Sequence, residues 1–147
     1  MKILKKILKL FHIFHQKLSY SGNFTEAAST TFIHNGVVMT EYQNEPFIVG
    51  DYNHNQVEFM HQSHLRWYTA IEFPFYGKVY GFAAVSRPGK VFILGGCCGN
   101  DWKTISLCEN DQWSKIGNLI QGRINHHVIA YGTDLMIIGG TSRNNQP

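Results

Sequence analysis

Eight histidines, three cysteines and ten carboxylates are the side chains of this 147-residue sequence that could do chemistry. The densest histidines are His61-Gln62-Ser63-His64 and the adjacent His126-His127. Imidazole is a common metal ligand, but a metal site needs three or four such groups converging on one point. His61 and His64 fall in a predicted turn, and His126 and His127 point to opposite faces of a predicted strand, so neither pair is expected to converge. A histidine satisfied by backbone hydrogen bonds is the ordinary alternative. Asp101, Glu109, Asp111 and Asp134 sit in predicted loops, where solvated turn carboxylates are usual. The sequence holds no nucleophile elbow, P-loop, G-x-G-x-x-G or H-E-x-x-H motif. It points away from an enzyme, and no metal or cofactor is expected.

The cysteines are Cys97, Cys98 and Cys108. Three cannot all pair, and adjacent cysteines bridge only through a strained ring. Free thiols on short strands and loops are expected; a bridge from Cys97 or Cys98 to Cys108 is the alternative for a secreted chain.

The net charge of +3 is concentrated at the front. Residues 1 to 25 hold five lysines (Lys2, Lys5, Lys6, Lys9, Lys17) and no carboxylate, whereas the rest holds eight Lys and Arg against ten Asp and Glu. That balance gives no support to a nucleic-acid groove. In residues 1 to 18, Ile3, Leu4, Ile7, Leu8, Phe11, Phe14 and Leu18 recur at helical spacing, with lysines largely on the other side, which predicts a basic amphipathic helix. It is too short and too charged to span a bilayer, and Lys9 and His12 interrupt the apolar run that a secretory signal needs. Three roles fit it: lying on an anionic membrane surface, serving as a degenerate targeting signal, or packing against the following domain. The sequon Asn23-Phe24-Thr25 matters only in a secreted chain. The compartment is left open, leaning toward the cytoplasm.

The elements behind these residues repeat. Three apolar runs end in glycine: Pro46-Phe47-Ile48-Val49-Gly50, Val91-Phe92-Ile93-Leu94-Gly95-Gly96 and Leu135-Met136-Ile137-Ile138-Gly139-Gly140, with Gly95 45 residues after Gly50 and Gly139 44 after Gly95. Each follows another apolar stretch across a tight turn, so each pair reads as a hairpin. Residues 56 to 60 and 103 to 108 then lead through polar turns to Trp67 and Trp113, giving a second hairpin and four short strands per unit. A β-rich unit recurring at this period selects a propeller. The expected fold is all-β: a partial β-propeller of about two and a half four-stranded antiparallel blades, preceded by the helix. Residues 1 to 25 form the basic segment, and 26 to 147 hold units at about 36 to 75, 78 to 118 and 123 to 140.

This pattern resembles the kelch repeat, in which an apolar run ends in a diglycine, a Trp follows on the outer strand, and a basic residue with a nearby His opens the next blade. Gly95-Gly96 and Gly139-Gly140 match the diglycine, Trp67 and Trp113 the tryptophan, and Arg123 with His126 or His127 the opening. Departures are Gly50-Asp51 in the first unit, Lys78 where an arginine is expected, and Phe59 and Leu107 or Cys108 in place of the usual tyrosine. The resemblance implies a non-catalytic protein-binding scaffold whose loops at one rim touch a protein partner. Candidate contact residues are Trp102, Asp101, Asn53 and His54, from loops at 51 to 55 and 98 to 102, with 87 to 90 a further turn. A membrane-surface or secreted glycoprotein segment is one alternative. A remnant of a propeller enzyme, such as a copper oxidase resembling galactose oxidase, is another. A third unit that stops after two strands cannot close a ring, so the chain is expected to be a fragment, to self-associate through open blade edges, or to be capped by a partner.

Overall fold

A computed structural model describes residues 15–18, 22–32, 34, 36–50, 55–61, 63–69, 73, 79–98 and 102–142. Every regular element among them is a strand: β1 (His15–Leu18), β2 (Phe24–Ala27), β3 (Val38–Tyr42), β4 (Glu45–Val49), β5 (Val57–His61), β6 (Arg66–Thr69), β7 (Val79–Arg87), β8 (Lys90–Cys98), β9 (Thr104–Glu109), β10 (Gln112–Asn118), β11 (Arg123–Ile124), β12 (His127–Tyr131), β13 (Asp134–Ile138) and β14 (Thr141–Ser142). Two four-stranded antiparallel sheets, β3-β4-β5-β6 and β7-β8-β9-β10, each run strand to neighbouring strand in chain order. β12 and β13 make a hairpin, and β11 pairs with β14.

Local chemistry explains the strands. Phe47, Ile48 and Val49 of β4 are all buried, which is how a continuous apolar run behaves when covered on both faces. Thr104, Ser106 and Cys108 of β9 are buried and the residues between them half-buried, the two-residue alternation of a strand with one better-covered face. Gln43-Asn44 and Asn110-Asp111 turn with positive φ at both positions (52° and 64°; 52° and 57°), a two-residue hairpin geometry that Asn and Asp tolerate.

The backbone repeats more deeply than the apolar runs suggest. Gly36, Gly81 and Asn125 stand 45 and 44 residues apart and all take positive φ (69°, 68° and 54°). These are the intervals of Gly50, Gly95 and Gly139. Gly96 and Gly140 each face a partner in the same unit: a Cβ on Gly96 would lie 2.5 Å from Phe82 Cβ, and one on Gly140 2.7 Å from His126 Cβ. Phe82 and His126 are themselves 44 residues apart.

The core lies between the two large sheets. Phe47, Val49 and Val57 of the first meet Phe82, Val91, Ile93 and Cys108 of the second. Phe73 fills the seam, stacked on Phe82 at 6.2 Å and edge-on to Trp113 at 4.9 Å between ring centroids. Burying such side chains stabilises by roughly 1.5–3 kcal/mol each. β3 packs against β7, and β7 against β12. The crossing segments recur too: the Phe73 N–H donates to Asn55 O at 3.2 Å and the Leu119 N–H to Lys103 O at 2.7 Å.

Two expectations need correction, the front helix and the start of the 98 to 102 candidate loop. For the helix over 1 to 18, residues 1–14 lie outside the described residues, while His15–Leu18 form β1, paired from His15↔Ala27 to Leu18↔Phe24. A partner strand gives these backbone groups the hydrogen bonds that a short helical end satisfies poorly. Cys97 and Cys98 continue β8, with Tyr80 opposite Cys97, within the expectation of thiols on strands and loops, and the 98 to 102 candidate loop loses its first residue. Cys97 and Cys108 are not bridged to each other. Because Leu94 faces Ile105 in the β8–β9 register, Cys97 and Cys108 run toward opposite ends of the sheet. At about 3.3 Å per residue this puts them roughly 20 Å apart, too far to bridge.

Candidate functional site

Strand direction sorts the connections into two rims. The β3–β4, β5–β6, β7–β8, β9–β10 and β12–β13 turns leave one rim, while β4 and β8 both end at the other. On the first rim the turns are tight. The 87 to 90 candidate loop reduces to Pro88-Gly89, with Arg87 and Lys90 paired in strands. The connections that follow β4 and β8 are longer and hold the remaining candidates. Asn53, His54 and Asp101 lie outside the described residues.

Trp102 is described and half-buried. A Cβ on Gly122 would sit 2.9 Å from Trp102 Cβ, so Trp102 lies against the segment that leads into β11. Its carbonyl accepts the Arg123 N–H at 3.0 Å, and the Arg123 guanidinium donates from Nη1 to Gly139 O at 2.8 Å. One arginine therefore ties the Trp102 carbonyl to the glycine that ends the third apolar run. Gly50, Gly95, Gly96, Gly139 and Gly140 all take positive φ at the second-rim ends of their runs. Trp67 donates from Nε1 to Ala28 O at 2.8 Å, and Trp113 packs on the core.

A half-open cleft of about 530 Å³ lies between the first sheet and the outer strands of the second, lined by Tyr42, Glu45, Phe47, Phe59, Asp111 and Trp113 among others. The Tyr42 hydroxyl accepts the Asp111 N–H at 3.1 Å and donates to Asp111 Oδ1 at 3.2 Å. Burial raises the Tyr42 pKa from its ordinary value, and the hydrogen bond from the Asp111 backbone offsets this only in part. Burial, with the Asp111 carboxylate nearby, pushes the Cys108 thiol up to about 11. A thiol held protonated at neutral pH is a poor nucleophile. The cleft's chemistry is that of an apolar recess, not of a catalytic pair.

A second titratable cluster is enclosed. The Glu58 carboxylate accepts Thr31 N–H at 2.8 Å and Phe32 N–H at 3.2 Å and meets His34 Nε2 at 2.7 Å, while His34 Nδ1 lies 3.0 Å from Gly50 O. Both ring nitrogens face acceptors, so both contacts are hydrogen bonds only when the ring carries two protons. Burial works to raise the Glu58 pKa, yet the bonds from His34, Thr31 and Phe32 outweigh it and hold the carboxyl below its usual value. Side-chain exposures of 4% for His34 and 0% for Glu58 leave no room for a substrate. This pair clamps the segment preceding β3 onto β5. No local pattern links positions 34 and 58, and sequence reasoning missed it.

The histidine pairs are placed as follows. His61, which ends β5, and His64, in the turn after it, stand with ring centroids 4.8 Å apart, and Ser63 Oγ lies 2.8 Å from His61 Nδ1 and 3.4 Å from His64 Nδ1. The turn between β5 and β6 folds back on itself, which brings the rings together. Among the described residues no three His, Cys, Asp or Glu are grouped to hold a metal ion. His126 is buried and His127 exposed. Among the described residues neither His126 nitrogen meets a hydrogen-bond partner at bonding geometry. Burial, then the charge of Arg123, lower its pKa, and the nearby Leu94 backbone only softens the effect. Its place in the third unit is that of Phe82 in the second.

No family model matches the chain. Kelch-like protein 25 of Rattus norvegicus and Kelch-like protein 25 of Mus musculus are each 32% identical to it over 62 residues, a stretch covering 40% of this chain and 10% of theirs. The chain thus spans about a tenth of the length of these curated relatives. The similarity, together with the antiparallel four-stranded sheets, suggests kelch-type repeats.

Proposed function

We propose that residues 26–147 are an incomplete kelch-like β-propeller serving as a non-catalytic protein-binding scaffold. The observation that carries this reading is the packing of like strands: β3 against β7 and β7 against β12, each opening a unit of the same repeat. First strands that pack on one another while the later strands of each sheet fan outward are the mark of neighbouring propeller blades. In this reading the third unit is completed from outside the described residues, and the long second-rim connections hold the contact surface. Trp102, with Asp101, Asn53 and His54, is its centre. A half-buried aromatic fixed through its own backbone presents contact area at low entropic cost.

The test is quantitative affinity capture with the full chain, comparing Trp102→Ala with Pro88→Ala on the opposite rim. A partner held through the second rim is expected to be recovered equally by wild type and Pro88→Ala. Trp102→Ala should lose it by about tenfold or more, the scale of a hot-spot truncation. Equal recovery by all three would end the assignment of that rim.

A further inference from the structure

The cleft beside the rim of tight turns is walled by two complete four-stranded sheets, and it brings aromatic rings together with carboxylates. Glu45 and Phe47 stand two residues apart on β4 and so share a face, with Phe59 of β5 opposite Phe47. The facing wall supplies Trp113, which pairs with Cys108, and Asp111 from the β9–β10 turn. The rings form a corner and not a flat stack: Tyr42 is tilted 59° to Phe47 at 5.5 Å between centroids, and Phe47 42° to Trp113 at 6.3 Å. The volume of about 530 Å³ is that of a small-molecule site.

The charges in this cleft have one sign. Among the described residues that line it, the charged side chains are Glu45 and Asp111, and none is a lysine or arginine. The Glu45 side chain is only 21% exposed, so water and salt screen its charge weakly. The basic ring it meets, His61, stands off at 3.7 Å and has Ser63 Oγ 2.8 Å from the same nitrogen. Asp111 is fixed in advance: the Tyr42 hydroxyl accepts its N–H at 3.1 Å and donates to its Oδ1 at 3.2 Å. That bond holds a carboxylate and an aromatic ring in place across the two sheets before any ligand arrives. After burial, the Asp111 charge is what raises the Cys108 thiol, so it is felt at the inner wall of the cleft.

We infer that this cleft binds an alkylated ammonium cation, with its charge toward Glu45 and Asp111 and its methyl groups against Tyr42, Phe59 and Trp113. Ring faces are electron-rich and attract a cation, while their apolar surface suits its alkyl shell. Other ligands fit less well. An anion meets two like charges. A primary amine or guanidinium brings N–H donors, which aromatic walls leave without acceptors. A metal ion needs three or more converging donors, and no such group occurs among the described residues. The inference concerns the rim opposite Trp102, so capture through Trp102 stands or falls separately.

The probe is choline chloride, titrated into the full chain with signals read at the Trp113 indole N–H and the Asp111 amide. Expected are saturable shifts with a midpoint of roughly 1 mM or tighter. 3,3-Dimethylbutan-1-ol has the same shape without the charge and should bind about tenfold more weakly. Glu45→Gln and Asp111→Asn keep side-chain shape, and the latter keeps an acceptor for Tyr42; each should weaken choline by about fivefold. Unchanged Trp67 and Trp102 indole signals verify that both variants are folded. An N-acetyl trimethyllysine amide that binds about tenfold more tightly than choline assigns the site to a methylated polypeptide; equal affinity assigns it to a free small molecule. No saturable shift, an equal response to sodium chloride, or equal binding of the neutral alcohol overturns the inference and leaves the cleft a packing gap.

Discussion

Glu58→Ala is expected to lower the unfolding free energy by about 3 kcal/mol or more, because it strands three donors at once. Thr31 N–H, Phe32 N–H and the His34 ring all meet this carboxylate, and each buried donor left unpaired costs roughly 1–3 kcal/mol. Removing one member of an enclosed pair is far costlier than replacing both. Glu58→Gln keeps the shape and one acceptor oxygen, so it should fall between alanine and wild type. The pH dependence follows from the lowered carboxyl pKa, whose ordinary value is 4.5. Stability from Glu58 is fully present above that value and is lost as pH falls through the lower folded-state value. Urea denaturation between pH 7 and pH 3 should show a decline below about pH 4.5 that is shallower in Glu58→Gln. A Glu58→Ala variant within 0.5 kcal/mol of wild type would mean that the clamp does not form.

The second large effect is expected at Gly96→Ala, at about 3 kcal/mol or more. Gly96 has φ 83°, where any Cβ is strained, and the added carbon would lie 2.5 Å from Phe82 Cβ and 3.0 Å from Phe82 Cα and N. The obstacle is the backbone of β7 and not a flexible tip, so the strands must separate. Gly89 is the control: its φ is 71°, but nothing lies within 4 Å of an added Cβ. Gly89→Ala should therefore show only the left-handed strain, about 1–2 kcal/mol. The difference between the two variants in the same denaturation experiment measures the close approach of β7 and β8. Equal effects would mean that the approach is looser than 2.5 Å.

What sequence could show here follows from the range of each interaction. The hairpins of the large sheets were legible because alternation, tight turns and the Gly50, Gly95, Gly139 spacing are local signals. Gly36 and Gly81 carry the same 45-residue interval. They escaped notice because the third member is Asn125, a residue that also tolerates positive φ. β1 was obscured by an apolar spacing that fits a helix, although residues 15–18 pair with β2.

The sites were harder to read. Tyr42 and Asp111 are 69 positions apart and His34 and Glu58 24 apart, and nothing in composition or period joins them. Only the packing of one sheet on another does. The rim assignment needed strand direction, which sequence supplied only to within a few residues. The direction places Pro88-Gly89 on a rim of tight turns and β8's exit on the other. Trp102 was legible as a large aromatic in a polar stretch; its backbone bond to Arg123 was not.

The binding reading depends on the second sheet standing beside the first as its next blade, with Phe73 in the seam. The measurement that tests this most directly is a set of nuclear Overhauser effects among aromatic ring protons in the full chain. Ring centroids at 4.9 Å for Phe73 and Trp113 and 6.2 Å for Phe73 and Phe82 predict direct cross-peaks for both pairs. Intact cross-strand effects within each sheet, such as Phe47 to Phe59, without any from Phe73 to the second sheet would contradict the account.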